Sequence, residues 1–370
     1  MIKVLHILTD SNLGGAGRYL INYLTYADRS RFAPEVVLPL GSALVPEVEG
    51  LGIPVIQVPG IADQSFSRSA IRELHRIIER EKPNIVHTHG SFSGRIAARR
   101  AGGKVVYTRH CAFPVPAYLR HGPGHWLYGA VNRRYADHVI AVSPAAEENL
   151  LQMGVPKRMI TVMMNGAPPL ERVSPERAAA LRQRWDVPEG GFTGGILARL
   201  EPYKGHELLL EAAGILRAEG RDFRLLIGGE GSCGQALREQ IAALGLEKQV
   251  KLLGFVEDVA EVLSLLDVQL NCSWGTETSS IAVIEGMSLG LPTVASSYGG
   301  NPWLIDDGRT GLLFENRNPE DLAGKLRALM DDAGLRSRMG REALAAYQER
   351  FTAARFAADL ERVYDSVLLK

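Results

Sequence analysis

The chain has 370 residues, 42 Lys and Arg balanced by 42 Asp and Glu, and three cysteines. Such a length supports two domains with full cores, while three widely spaced cysteines exclude a disulfide framework or a zinc cluster and fit a reducing compartment. The neutral total hides a split: residues 1–167 carry nineteen Lys/Arg against twelve Asp/Glu, about +7, which leaves about −7 beyond, as expected of two facing lobes or of a basic lobe facing an anionic surface.

The opening run Met1–Leu8 reads as a strand, too short and wrongly flanked for a signal peptide. No apolar run reaches the roughly 18 residues of a membrane span. Strand-like and helical runs then alternate: Lys3–Thr9, a helix from Arg18 to Ala27, Ala33–Pro39, Val55–Val58, a helix from Ser67 to Arg80, Ile85–His89, a helix over Gly94–Arg100, and Lys104–Arg109. This alternation predicts a doubly wound parallel sheet, in which ligands bind at the carboxyl ends of strands.

Gly14-Gly15-Ala16-Gly17 lies between the first strand and the first helix, where glycine lets the backbone approach a phosphate or a sugar. Gly-x-Gly-x-x-Gly is absent and no acid closes the second strand, which argues against a dinucleotide oxidoreductase. His87 and His89 end their strand on one face. With no third ligand legible nearby, they read as polar lining at the mouth of a site rather than as metal ligands. Arg109 and His110 end the next strand.

From Arg95 to Arg134 there are eight Lys/Arg and no Asp/Glu, interleaved with Tyr107, Phe113, Tyr118, Trp126 and Tyr128. Pro114, Pro116 and Pro123 predict a loop in its middle. Clustered cations gain about 1 kcal/mol each near an anionic membrane. The segment therefore reads as a contact for anionic lipid, for a lipid-diphosphate acceptor or for an anionic sugar, or else as a solvated basic face. No nucleic-acid-binding module appears. Strands at His138–Ser143 and Met159–Met163 and a turn at Asn165-Gly166 close the first half, and a linker from Ala167 to Ser174 is stiffened by Pro168-Pro169.

In the second half a helix over Ser174–Trp185 leads to a strand Thr193–Arg199, a loop Leu200–Gly205 and a helix His206–Arg217. Arg199 and Lys204 bracket that loop, where two cations can offset the charge on a departing diphosphate. Strand Arg224–Gly228 enters a glycine-rich turn through Gly229 and Gly231, and Val250–Val256 is the next strand. A helix Asp258–Leu266, a strand Val268–Cys272, a polar loop Ser273–Ser280 and a helix Ile281–Leu289 follow, the last stopped by Gly290 and Pro292. After strand Pro292–Ser296 and the turn Gly299-Gly300, the remainder is mostly helical, over Pro319–Met330, Leu335–Tyr347 and Thr352–Leu369. Glu277 thus precedes a helix N-terminus and Glu285 lies two turns on. Helix N–H groups bind anions, Thr278, Ser279 and Ser280 add hydroxyls, and carboxylates accept hydrogen bonds from sugar hydroxyls. Together they suit a ligand that carries both hydroxyls and phosphate.

Several of these features, taken in order, resemble the retaining glycosyltransferases of family 4, the group 1 glycosyl transferases of GT-B fold. They are the Gly-Gly loop, His110, Ile-Ala-Val-Ser143 with the later Asn-Gly, Gly-x-Leu-x-Arg199-Leu-x-x-x-Lys204-Gly, the Gly-x-Gly at residues 229–231 and Glu277-x7-Glu285. The resemblance spans nearly the whole chain. It implies an α/β fold of two doubly wound Rossmann-like domains with the active-site cleft between them: an acceptor-side domain over 1–167, completed by a helix over 352–370, and a donor-binding domain over 168–351. It implies transfer of a sugar, with retention, from a nucleotide-diphosphate sugar to a hydroxyl of a glycan or lipid-linked acceptor. Neither a metal nor another cofactor is implied, since Arg199, Lys204 and the helix N-terminus supply the positive charge.

The same resemblance assigns Arg199 and Lys204 to the diphosphate, Glu277 and His110 to the donor sugar and Glu285 to the ribose. Gly14, Gly15 and Gly17 would border the phosphates, Thr278, Ser279 and Ser280 would meet the distal phosphate, Gly229 would line the donor, and Gly254 with Phe255 would hold the base. His110, Glu277, Arg199 and Lys204 form the expected catalytic set, with His87, His89 and Arg109 toward the acceptor. Two features depart from the pattern. The small-Gly pair that usually follows the first Glu is Thr278-Ser279-Ser280, and Gly-Gly-x-x-Glu appears as Gly299-Gly300-Asn301-Pro302-Trp303, without its acid. An epimerase or hydrolase of nucleotide sugars on the same fold, or a non-catalytic binder, is the alternative. The expected setting is cell-surface glycan, glycolipid or polysaccharide synthesis in the cytoplasm, peripheral at the inner face of the membrane.

Overall fold

Runs such as Val4–Leu8 and Val36–Pro39 are buried on both faces, as strands are when helices cover both sides of a parallel sheet. The computed structural model describes residues 1–369 and forms two compact units, Met1–Ala167 with Thr352–Lys370, and Pro168–Phe351. The final residue, Lys370, lies outside the described residues.

In the first unit β1 (Ile2–Leu8), β2 (Phe32–Pro39), β3 (Val55–Val58), β4 (Ile85–His89), β5 (Lys104–Arg109), β6 (His138–Ala141) and β7 (Ile160–Val162) form a seven-stranded sheet in the order β3-β2-β1-β4-β5-β6-β7. Every pairing is parallel. The order turns back between β1 and β4, and at such a switch point the chain leaves a crevice beyond the strand ends. Register sets Leu8 beside His89 and His89 beside Thr108, so the glycine loop and both histidine-bearing strand ends gather there.

The second unit holds β8 (Phe192–Leu197), β9 (Phe223–Gly228), β10 (Val250–Gly254), β11 (Val268–Asn271), β12 (Thr293–Ser296) and β13 (Gly311–Phe314), in the order β10-β9-β8-β11-β12-β13. Its switch point falls between β8 and β11, which brings the Arg199–Lys204 loop and the Glu277 loop to one end of the sheet.

The helix Ala353–Leu368 belongs to the first unit. Phe356, Leu360, Tyr364 and Val367 recur at helical spacing and pack with Tyr19, Tyr23 and Phe32. Its start is fixed twice: Thr352 caps the helix by accepting from the Arg355 N–H, and the Ala353 N–H donates to Ala167 O at 2.9 Å. A Cβ at Gly166 would lie 2.6 Å from that of Phe356, which is why the turn at Asn165-Gly166 tolerates no side chain at its second position.

One sequence expectation needs correction in part, and some elements were not foreseen. The loop predicted around Pro114–Pro123 is present over residues 110–116, with Pro114 and Pro116, but beyond it the chain forms a helical turn, Ala117–Arg120, and a fourteen-residue helix, Gly122–Tyr135. Pro123 stands in the first turn of that helix, where a missing N–H costs nothing. The helix Gly234–Ala243 and the strand β13 were not legible: the first buries only Leu237 and Ile241, and the second is four residues long. Among the described residues no helix is long and apolar enough to cross a membrane.

Candidate functional site

In the second unit the strand ends place two loops against each other. Glu277 is only 7% exposed, and a buried carboxylate must be paired and hydrogen-bonded to stay charged. Lys204 Nζ donates to Glu277 Oε2 at 2.9 Å, across 73 residues of sequence. Asn271 Nδ2 and Ser273 Oγ donate to the same oxygen at 3.1 and 2.9 Å, and the Thr278 N–H donates to Oε1 at 3.2 Å. Burial pushes this carboxyl up, but the charge of Lys204 and the hydrogen bonds outweigh it and hold the group below its usual range.

A further layer keeps those donors in place. Asn271 Oδ1 accepts from the Ser273 N–H at 3.1 Å, and Asn301 Nδ2 donates to Ser296 O and Oγ at 3.1 Å each. Ser296 Oγ in turn donates to Ser273 O. Asn301 Oδ1 is buried without a partner. These positioning residues were missed from sequence; the only signal available was a polar residue at the end of an apolar strand, as at Asn271.

Arg199 is exposed and donates through Nη2 to Tyr203 Oη at 2.7 Å. Gly205, at φ +70°, turns the chain so closely that a Cβ would sit 2.1 Å from Cys272 O. The next residue, His206, is buried with neither ring nitrogen partnered, and burial, with Lys204 beside it, lowers its pKa to about 4. Gly229 lies at φ +140°, and a Cβ there would meet Ala198 O at 2.0 Å. Its N–H donates to Gly254 O at 2.7 Å, so Gly229 and Gly254 adjoin, and Phe255 beside them is exposed.

The helix Ile281–Ser288 begins at Ser280, whose hydroxyl accepts from the Val283 N–H. Ser280 therefore serves as the helix cap. Thr278 and Ser279 are buried just before it, while Glu285 lies half-buried within the helix. Trp303, at the position of the absent acid, is exposed.

In the first unit the three glycines divide. A Cβ at Gly17 would lie 2.8 Å from Leu44 Cδ2, so Gly17 serves close packing, whereas Gly15 has nothing within 4 Å and leaves the backbone open to a ligand. Gly14 precedes the helix Gly15–Tyr26 as its cap.

His110 stands at the end of a line of imidazoles. His6 Nδ1 lies 3.2 Å from His89 Nε2, and His89 Nδ1 lies 3.0 Å from His110 Nε2. Burial lowers His6 to about 3, burial and Arg109 lower His110 to about 3, and burial with the neighbouring imidazoles lowers His89 well below its ordinary value. All three are neutral at pH 7. His6 Nε2 is buried without a partner, and an orphaned N–H there would cost more than an orphaned lone pair. The proton of His6 therefore sits on Nδ1 and is donated to His89, which carries its own on Nδ1 and donates to His110. His110 is left with Nε2 as acceptor and Nδ1–H as donor.

A substitution tests this assignment. His6→Leu removes the first donor and frees His89 and His110 to carry their protons on either nitrogen. Ring nitrogen chemical shifts in histidine-labelled protein should show His110 as the Nδ1–H form, and as a mixture in the variant. A native His110 protonated on Nε2 would refute the scheme.

His87 requires correction. It is fully buried, its Nδ1 lies 2.7 Å from Tyr364 Oη and its Nε2 2.7 Å from Thr108 Oγ1, so it faces the core and not the mouth of a site. The missing third ligand exists too: ligating atoms of His6, His87 and His89 all lie within 4.8 Å of one another. Both nitrogens of His87 are already engaged by hydroxyls, and His6 and His89 point at each other, so the donor set is committed to hydrogen bonds and fits a metal poorly. The basic segment also changes character. Arg95 is buried, bonds Asn132 Oδ1 and Tyr135 O, and lies 4.5 Å from the centre of the Tyr107 ring. Arg99 pairs with Asp137 and Arg109 with Asn149, which leaves Arg100, Arg120, Arg133 and Arg134 exposed.

Residues 178–345 match the family described as Glycosyl transferases group 1, and residues 13–169 match Glycosyltransferase Family 4. The chain is 30% identical over 301 residues to D-inositol 3-phosphate glycosyltransferase of Streptomyces avermitilis, an alignment covering 75% of this chain and 64% of that protein. It is 26% identical over 303 residues to 2-deoxystreptamine glucosyltransferase of Streptomyces kanamyceticus, covering 76% and 78%. In fold it resembles Anabaena HepE, solved in complex with UDP, with a TM-score of 0.84, 24% identity, and coverage of 99% of this chain and 100% of that one.

Proposed function

The chain belongs to the glycosyl transferases of group 1 and family 4, with the GT-B fold, and from that premise we propose that it moves a sugar from a nucleotide-diphosphate sugar to an acceptor hydroxyl with retention of configuration. The observation that carries this reading is the Lys204–Glu277 pair at the switch point of the second sheet, with Arg199 on the same loop. Lys204, Arg199 and the N-terminus of the helix Ile281–Ser288 supply positive charge for a departing diphosphate, and the reaction needs no metal.

Glu277 accepts four hydrogen bonds, which makes it a poor nucleophile. Attack therefore comes from the face the leaving group departs. The bond from the anomeric carbon to the diphosphate oxygen breaks, the acceptor oxygen bonds to that carbon, and the acceptor proton passes to the leaving phosphate. The residues for the diphosphate and the base lie in the unit Pro168–Phe351, while the unit that contains Gly15, Arg109 and His110 binds the acceptor and adds His110 to the donor sugar. UDP, the ligand of the HepE structure, is the first nucleotide to test. Arg100, Arg120, Arg133 and Arg134 suit peripheral contact with an anionic membrane, and a glycan or lipid-linked acceptor in cell-surface synthesis fits that placement. No feature of the site favours an epimerase, a hydrolase or a non-catalytic binder.

A thermal-shift screen with UDP, GDP and ADP, with and without magnesium, tests the donor site. One nucleotide should raise the melting temperature without metal, by roughly 5–10 °C at about a hundredfold excess over its Kd. The absence of any shift at millimolar concentration would end the nucleotide-sugar assignment.

A further inference from the structure

The helix Gly122–Tyr135 packs unusually for an apolar helix. Gly129 and Asn132 are its buried residues, while Trp126 and Leu127 are 67% and 59% exposed. Positions 124, 127, 128, 131 and 132 share one face at helical spacing, and all of them line a cavity of about 770 Å³ over the carboxyl ends of β4 and β5. That volume falls within the range of small-molecule sites. The face thus borders an open space, with Tyr128 also packed on the core beside Tyr107 and Asn132 buried against Arg95.

The lining of the cavity is of two kinds. Asp10, Thr108, Arg109 and His110 are polar and stand at or just past the carboxyl ends of β1 and β5. Arg109 Nε is buried there without a partner, although Nη2 donates to Asn149 at 3.0 Å. Phe66, Phe92, Leu119, Leu127, Tyr128 and Val131 supply an apolar wall. Arg95 lines the cavity as well, but with its guanidinium between Phe92 and Tyr107 and bonded to Asn132 it is part of the wall. A sugar chain lying along the apolar wall would lose hydrogen bonds to water and find few in exchange. A hydrocarbon would gain there.

We propose that this cavity takes an amphipathic acceptor, an alkyl or isoprenyl chain lying along the wall with its hydroxylated head by Arg109 and His110. The assignment rests on the sugar-transfer reading and names the acceptor class for it. Outside the cavity, exposed Phe113 and Trp126 lie in a stretch that also exposes Arg120, Arg133 and Arg134, and Tyr118, exposed as well, stands at the cavity's lining. Aromatic and cationic side chains together are the composition that settles at a lipid interface, the place from which such a chain is drawn.

The test uses the intact protein and n-alkyl β-D-glucosides from pentyl to octyl, each below its micellar concentration, with the methyl glucoside as reference. In calorimetric titration the affinity should rise about fourfold per methylene. Leu127→Asp, an exposed position whose fold is checked by circular dichroism, should lower octyl glucoside affinity by about tenfold or more. Affinity independent of chain length, or equal octyl binding by native protein and variant, would overturn the proposal. A native protein that binds the alkyl series yet shows no shift with any nucleoside diphosphate would instead fault the sugar-transfer reading, so the two failures are distinguishable.

Discussion

Lys204→Ala should lower kcat by roughly 10²–10³-fold, the scale on which a lost charge-stabilising donor acts. It should also weaken the fold, because Lys204 is the cation of a pair whose carboxylate is buried. Removing one partner of a buried pair costs about 3–5 kcal/mol, and the lower end applies here because Asn271, Ser273 and the Thr278 N–H remain as donors. The pH dependence has a definite sign. In the native protein the Glu277 carboxyl titrates below its usual range, so its stabilisation is complete above the ordinary carboxylate value of about 4.3 and is lost as pH falls through the lower folded value. Without Lys204, burial dominates, the folded value rises, and the acid-unfolding midpoint moves to higher pH. Steady-state turnover and acid unfolding of the variant measure the two effects. Unchanged turnover would remove Lys204 from the reaction.

Gly300→Ala should be the most disruptive single methyl group at the site. An ideal Cβ there would lie 1.3 Å from Thr278 O and 2.4 Å from its carbonyl carbon, and both are backbone atoms that cannot rotate away. The neighbouring Gly299 is at φ +60°, and its Cβ would fall 2.3 Å from Glu277 O. The turn after β12 therefore lies directly on the Glu277–Thr278 backbone, fastened by the Gly300 N–H to Glu277 O at 3.1 Å. Forcing the two apart moves Glu277 away from Lys204, Asn271 and Ser273 together. The expected loss is above about 4 kcal/mol, the range reached by severe overpacking and network breakage, with turnover lost in any fraction that folds. Urea unfolding and activity of the variant test this, and a native-like midpoint with native-like turnover would refute it.

The two sheets were legible because parallel strands buried on both faces leave continuous apolar runs, as in Val36–Pro39 and Val268–Asn271. Lys204 and Glu277 were each placed at a strand end as separate donor-site residues, and their pairing was not foreseen; it follows from the switch between β8 and β11, which brings those ends together whatever the loops contain. Other residues left no such mark. His6 sits inside an apolar strand and reads as core; only the register that sets it opposite His87 exposes its role. Strand alternation put His87 and His89 on one face, but it could not show that Tyr364, 277 residues away, would close over His87. Pro123 misled because the same residue that breaks a helix interior also favours a helix start. Asn301 was invisible because its partners, Ser296 and Asn271, become neighbours only through the turn at Gly299-Gly300.

The closing helix Ala353–Leu368 has a consequence for synthesis. A nascent chain emerges from its N-terminus, and its domains ordinarily fold in that order. Here the first unit lacks Phe356, Leu360 and Tyr364 until the chain beyond the second unit is translated, and His87 lacks the hydroxyl that meets it. The unit Pro168–Phe351 is continuous in sequence and has every strand and helix of its own before then. On the ribosome the second unit is thus complete before the first. The half of the protein made earlier waits for this helix, with the imidazoles of His6 and His87 lacking the cover of Tyr364 until residues 353–368 are made.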